Sequence, residues 1–445
     1  MRTFVFRSDR RLRALAALCS LGVLGVLTAL PVRAELLIDI TKGVTDPIPV
    51  AIVPFARVVP ADAGVDVAAI VQHDLESSGR FHAMDRKDML SSPQRGRDVK
   101  AADWRAARND YIVVGRLVGQ SATDVTVEFE LLNLLNGQTL LDQRVSVKST
   151  ALRYGAHRVA DLIYEKITGT RGAFATRIAY ISIDGRPPGQ RYQLLISDTD
   201  GENMRKLLDS PQPIMSPSWS PDGQWIAYVS FENHSSAVFV QRLASGEKLR
   251  VSARAGINGA PAFSPDGSKL ALTLSGTTGN LDIFVLDLAT QGLTRVTDNP
   301  AIDTEPAWSP DGRQLYFLSD RAGSPQIYRV PVQGGEAPKR ITFGVAQASR
   351  PRVSPDGTQL ALIVRDGGAD RIAVQDLASG QLRILTRGTL DESPSFAPNG
   401  AQLIYAGRER GQGVLAIVSV DGQVTQRVKS DQGEVREPVW GPFSN

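Results

Sequence analysis

Pro306-Ala307-Trp308-Ser309-Pro310-Asp311-Gly312 decides the fold, because variants of this stretch recur five more times in the C-terminal part of the chain. They occupy residues 217–223, 261–267, 351–357, 394–400 and, shortened, 438–442. Their second prolines, at 221, 265, 310, 355, 398 and 442, are 44, 45, 45, 43 and 44 residues apart. A period in the forties with strand-like contents indicates a β-propeller in which each repeat is one blade. Proline presets φ for a turn and Asp-Gly tolerates positive φ, so each stretch is a hairpin corner. After the corner, residues 314–318, 326–330 and 339–342 read as three further strands, giving four per repeat.

Innermost-type strands fall at Trp219, Phe263, Trp308, Val353, Phe396 and Trp440, and sets of the other three begin near Ile178, Ile226, Leu270, Leu315, Leu360 and Leu403. Both counts give six. The first set lacks an innermost strand and the last innermost strand lacks a set. Pairing of residues 437–443 with residues 177–182 would therefore complete one blade and remove two exposed sheet edges.

Upstream the pattern changes. An apolar strand at 50–55, helical spacing over 65–75, a brief strand at 81–84 and a short helix at 103–108 precede three strands at 111–118, 125–134 and 140–147, and an amphipathic helix at 152–167 follows. The expected organisation is an α/β N-terminal domain over 35–168, a linker over 169–176 and an all-β six-bladed propeller over 177–445. At the start, Arg2, Arg7, Arg10, Arg11 and Arg13 precede an apolar run from 14 to 30 and then Val32-Arg33-Ala34. That order describes a secretory signal over 1–34, cleaved after Ala34; a membrane anchor is the alternative, the run being near the lower spanning limit. Without it the chain carries 44 basic against 46 acidic residues, so the net charge of +3 belongs mostly to the signal. A near-neutral chain does not suggest a nucleic-acid partner. The single cysteine, Cys19, falls inside the apolar run, so the exported protein has neither disulfide nor thiol, and is not membrane-spanning.

No catalytic residues are assigned. Gly-x-Ser-x-Gly, His-Glu-x-x-His, P-loop and dinucleotide fingerprints are all missing, and His73, His82, His157 and His234 are isolated in sequence. No metal or cofactor is expected, because no coordination motif accompanies the channel. If binding is the function, the residues just before each innermost strand matter, since they surround one rim: Met215-Ser216, Asn258-Gly259-Ala260, Thr304-Glu305, Ser349-Arg350, Glu392-Ser393 and Arg436-Glu437. Their charged members are expected to face a ligand rather than the core. The segment Glu35, Leu36, Leu37, Ile38, Asp39, Ile40 is short and strand-prone, either an ordinary edge strand or a detachable one that pairs with a partner's sheet.

The whole pattern resembles the TolB family: a signal, an α/β domain and a six-repeat propeller with Asn258-Gly259-Ala260-Pro261-Ala262-Phe263, Asp320-Arg321-Ala322-Gly323-Ser324-Pro325-Gln326-Ile327-Tyr328 and Leu390-Asp391-Glu392-Ser393-Pro394. The resemblance implies a monomeric, non-enzymatic periplasmic adaptor that binds the lipoprotein Pal at the channel mouth and TolA through the mature N-terminal segment, with other outer-membrane lipoproteins as further partners. It would support outer-membrane integrity and constriction at cell division. The Pal-binding set it implies comprises Asn258, Ala260, Thr304 and Glu305, to which the rim adds Arg350, Glu392 and Glu437; the TolA-binding set is Glu35 to Ile40. The alternative is a secreted propeller enzyme acting on oligosaccharide or peptide, which would need paired carboxylates or a metal in the channel. A third reading is an assembly factor that binds unfolded outer-membrane barrel segments.

Overall fold

The computed structural model describes residues 38–39, 46–58, 64–119, 121, 123–275, 279–409, 411–430 and 433–444. The expected signal and its cleavage point lie outside these residues, as do Glu35, Leu36, Leu37 and Ile40. Among the described residues no helix is long and apolar enough to cross a membrane.

Val50, Ala51, Ile52 and Val53 are fully buried, as a strand covered on both faces must be. Ile48–Ile52 lies between Phe81–Ala83 and Tyr111–Gly119, parallel to both, and the sheet continues antiparallel through Asp124–Asn133 to Thr139–Lys148. On one face Val50 and Ile52 pack with helices Val67–Ser77 and Leu152–Thr168; on the other Ala51 and Val53 pack with Trp104. Asp66 caps the first helix by accepting from the Ala69 N–H at 3.0 Å. The second helix ends where Gly169 turns left-handed at φ 76°.

The remaining described residues form six antiparallel sheets, the blades of the propeller. Four corners are held by their own Ser and Asp side chains: in one, the Ser309 hydroxyl donates to Asp311 Oδ1 at 2.5 Å and accepts from the Gln314 N–H at 2.9 Å, while Gly312 takes φ 70°. The Asp of these turns is thus structural. The closing strand is Glu434–Trp440, paired with Arg177–Asp184, so the expected 437–443 begins three residues late. A bulge between Arg436 and Val439 lets the chain pair on both sides of it, and the ladder ends at a Gly441 N–H to Arg177 carbonyl bond of 2.7 Å.

The last blade carries a fifth strand. Ile38 and Asp39 pair antiparallel with Gln426 and Thr425, which covers the outer edge of that sheet. The α/β half also meets the propeller directly: Gln402 Nε2 donates to the Ser77 carbonyl at 3.2 Å, Asn399 Nδ2 to the Arg171 carbonyl at 3.0 Å, and the Arg171 guanidinium lies 3.9 Å from the Phe443 ring centre.

Candidate functional site

All six innermost strands carry the same irregularity. Ser216, Ala260, Glu305, Arg350, Ser393 and Glu437 take φ of 52°, 46°, 57°, 54°, 55° and 49°, each directly before a proline. The ladder to the next strand slips there in every blade. A following proline disfavours right-handed helical backbone, and a left-handed non-glycine residue costs about 1–2 kcal/mol. Six repetitions of that cost mark a feature imposed by the ring. A bulge turns its residue away from the ladder, here toward the channel.

Three of the six side chains meet in the lumen. Arg350 Nε lies 3.0 Å from Glu305 Oε1 and its Nη2 3.0 Å from Glu437 Oε1. Each glutamate also accepts a main-chain N–H from the bulge of the following blade: Glu305 from Arg350 at 2.8 Å, and Glu437 from Ser216. Burial opposes the Arg350 charge, but the Glu305 and Glu437 carboxylates outweigh it and raise the guanidinium pKa. Sequence reasoning placed these three residues on the rim with their charges facing a ligand; in the structure they spend those charges on one another. Glu392 is half-buried beside them, and burial pushes its carboxyl up against the pull of Arg436 and Arg350.

The other expected rim residues divide. Thr304 Oγ1 lies 3.2 Å from Thr273 Oγ1, bridging neighbouring blades, and Ala260 sits at a bulge. Asn258 does not face the mouth. Its side chain is buried, donating to the Arg254 carbonyl at 2.7 Å and accepting from the Arg254 N–H at 2.9 Å and the Ser252 hydroxyl at 2.7 Å. It fixes the loop entering the strand, and the position two before the bulge is buried in every blade, as Ile214, Asp303, Ala348, Asp391 and Val435 also are. Of the N-terminal segment, Ile38 and Asp39 are in strand, paired within the same chain.

Sequence reasoning named Met215 on the rim but did not assign its apolar companions to the mouth. Ile257, Ile302 and Leu390, each three residues before a bulge, are 48%, 45% and 38% exposed, and Met215 is 40% exposed. The signal was present: Ile257-Asn258, Ile302-Asp303 and Leu390-Asp391 repeat an apolar residue before a buried polar one. Leu390 borders a pocket of about 300 Å³ that also contains Glu305, Arg350 and Glu392. Exposed apolar side chains around a polar pit suit a protein surface better than a small polar substrate. At the corner end of the channel a cavity of about 370 Å³ is lined by Trp219, Phe263, Trp308, Phe396 and Trp440, with Arg352 its single charged residue. Burial and the nearby Arg350 charge push the Arg352 guanidinium down to about 10.

Residues 36–140 match the TolB amino-terminal domain family and residues 164–444 the TolB beta propeller domain family. The chain is 49% identical to the Tol-Pal system protein TolB of Thioalkalivibrio sulfidiphilus, over 94% of this chain and 96% of that protein. It is 44% identical to the Xylella fastidiosa protein of the same name, over 94% and 95%. The crystal structure of TolB from Acinetobacter baumannii superposes with a TM-score of 0.84 at 41% identity, covering 92% of this chain and 100% of that one.

Proposed function

This chain belongs to the TolB family, and from that premise we propose that it is a non-enzymatic periplasmic adaptor of the Tol-Pal system. Its propeller mouth binds Pal, its N-terminal segment binds TolA, and together they serve outer-membrane integrity and envelope constriction at division. The observation that carries the Pal reading is the collar of Met215, Ile257, Ile302 and Leu390 around the Glu305, Arg350 and Glu437 triad. A partner there gains from covering exposed apolar surface and from hydrogen bonds to groups already held in place. Ala260, Thr304 and Glu392 shape the same mouth, and Asn258 acts through its loop.

The TolA reading rests on the pairing of Ile38 and Asp39 with the edge of the last blade. A strand this short is exchangeable, and a partner's strand could take it instead. A ligand that favours the self-paired form weakens TolA capture, and linkage makes the effect reciprocal. Pal is that ligand, because Glu392 and Leu390 enter the same last blade whose outer edge holds Ile38. The test is capture of purified Pal and TolA by the mature protein. Ile302→Asp should lose Pal and keep TolA; deletion of residues 35–41 should lose TolA and keep Pal. Equal loss of both partners in either variant overturns the assignment.

A further inference from the structure

We propose that His157, Asp198 and Asp200 form a site for a divalent transition-metal ion at the seam between helix Leu152–Thr168 and the first blade. His157 is 1% exposed. Its Nδ1 lies 2.7 Å from Oδ2 of Asp74, itself buried on helix Val67–Ser77. That contact directs the other ring nitrogen outward, as a carboxylate behind a metal-bound histidine does. Nε2 is buried and has no hydrogen-bond partner. It faces Asp200 Oδ2 at 3.7 Å and Asp198 Oδ2 at 3.9 Å. These separations are too long for hydrogen bonds. All three ligand atoms lie within 4.8 Å of one another. Ion-to-ligand bonds of about 2.0–2.2 Å place tetrahedral ligand atoms roughly 3.3–3.6 Å apart, so the imidazole needs to approach each carboxylate by a few tenths of an ångström, the two carboxylates draw together by up to about 1.5 Å, and water takes the fourth position.

The turn bearing the two carboxylates is already held. Asn203 Nδ2 donates to Asp198 Oδ2 at 2.6 Å and the Glu202 N–H to Asp200 Oδ1 at 3.0 Å. Arg153, whose Nη2 contacts Asp200, is the cation that competes with an ion for that carboxylate. Imidazole with carboxylates suits zinc and its first-row neighbours, whereas calcium prefers oxygen alone. A proton is the rival occupant: burial opposes it, but Asp74, Asp200 and Asp198 favour it and raise the imidazole to about 9. The sequence shows no motif because the ligands come from a helix and a distant turn.

The test is calorimetric titration of zinc into tag-free mature protein after chelator dialysis. Expected are one saturable equivalent, a rise in Tm with zinc because the ion ties the two halves together, and a loss of affinity of about tenfold or more in Asp200→Asn and His157→Gln. Arg153→Gln should bind more tightly, since it removes a competing cation from Asp200. If His157→Gln fails to fold, Asp200→Asn and Arg153→Gln, whose altered groups are partly exposed, decide. Absence of one-to-one binding, which leaves the proton as occupant, or unchanged affinity in the ligand variants, overturns the proposal.

Discussion

Glu305 and Arg350 stand 45 residues apart, one repeat, and are joined twice: Oε2 accepts the Arg350 main-chain N–H at 2.8 Å and Oε1 lies 3.0 Å from Nε. One side chain thus holds both the backbone bulge of the next blade and the cation that fills the lumen.

Removing that acceptor leaves an N–H in the channel without its partner. Glu305→Ala should cost about 1–3 kcal/mol, and Glu305→Gln, which keeps an acceptor oxygen, should recover most of it. Urea unfolding of the two variants checks this. Equal losses would assign the effect to charge instead of to the hydrogen bond.

The bulges require left-handed backbone, which a β-branched residue resists. Ala260, at φ 46°, is the simplest probe. Ala260→Val should cost about 1–2 kcal/mol, whereas Ala260→Gly should be tolerated because glycine adopts this φ freely. Thermal unfolding reads both.

The closing strand is anchored by Trp440, whose indole N–H donates to Thr176 Oγ1 at 2.8 Å and whose main-chain N–H donates to Ser395 Oγ at 3.0 Å. Trp440→Ala should cost about 3–5 kcal/mol. Truncation after Gly433 should lower Tm further and broaden the transition by differential scanning calorimetry. An unchanged Tm in the truncated protein would remove the strand from the ring.

Asp161 gives stability a pH dependence. It is buried and accepts the Phe174 N–H at 2.8 Å; burial pushes its carboxyl up to about 6, against the pull of that bond and of Arg158. The folded value exceeds the unfolded one, so the native state holds this proton more tightly. Its contribution is complete below pH ~4 and is lost as pH rises through about 6. Asp161→Asn removes the dependence, and its stability relative to the parent should improve by on the order of 2–3 kcal/mol between pH ~4 and pH ~7. Urea midpoints at the two pH values measure it.

Ile302 is 45% exposed, so Ile302→Asp should shift unfolding by no more than about 1 kcal/mol while abolishing Pal capture. Capture that survives would move the docking surface away from this mouth.

The features legible in sequence were those written in contiguous residues. The Ser-Pro-Asp-Gly corners announce themselves because Ser309, Asp311 and Gln314 bond within five positions. Ring closure was legible by counting, since an unmatched innermost strand needs an unmatched set. Its register was not, because the bulge before Val439 depends on a backbone conformation that no residue type there demands. Asn258 was misplaced for a related reason: its bonds to Ser252 and Arg254, not proximity to the rim, decide that it is buried. Ile302 and Leu390 were not assigned to the mouth because apolar residues in a strand-rich repeat read as core. His157 escaped because its companions come from elements remote in sequence.

Because Glu434–Trp440 follows the strands of every other blade in the chain, the first blade waits through translation with its inner ladder bare. Five later blades can be laid down in order, but the wheel shuts only when this strand is released. A premature stop or a nick ahead of it therefore opens the whole circle and exposes Arg177–Asp184 to proteases and to stray chains.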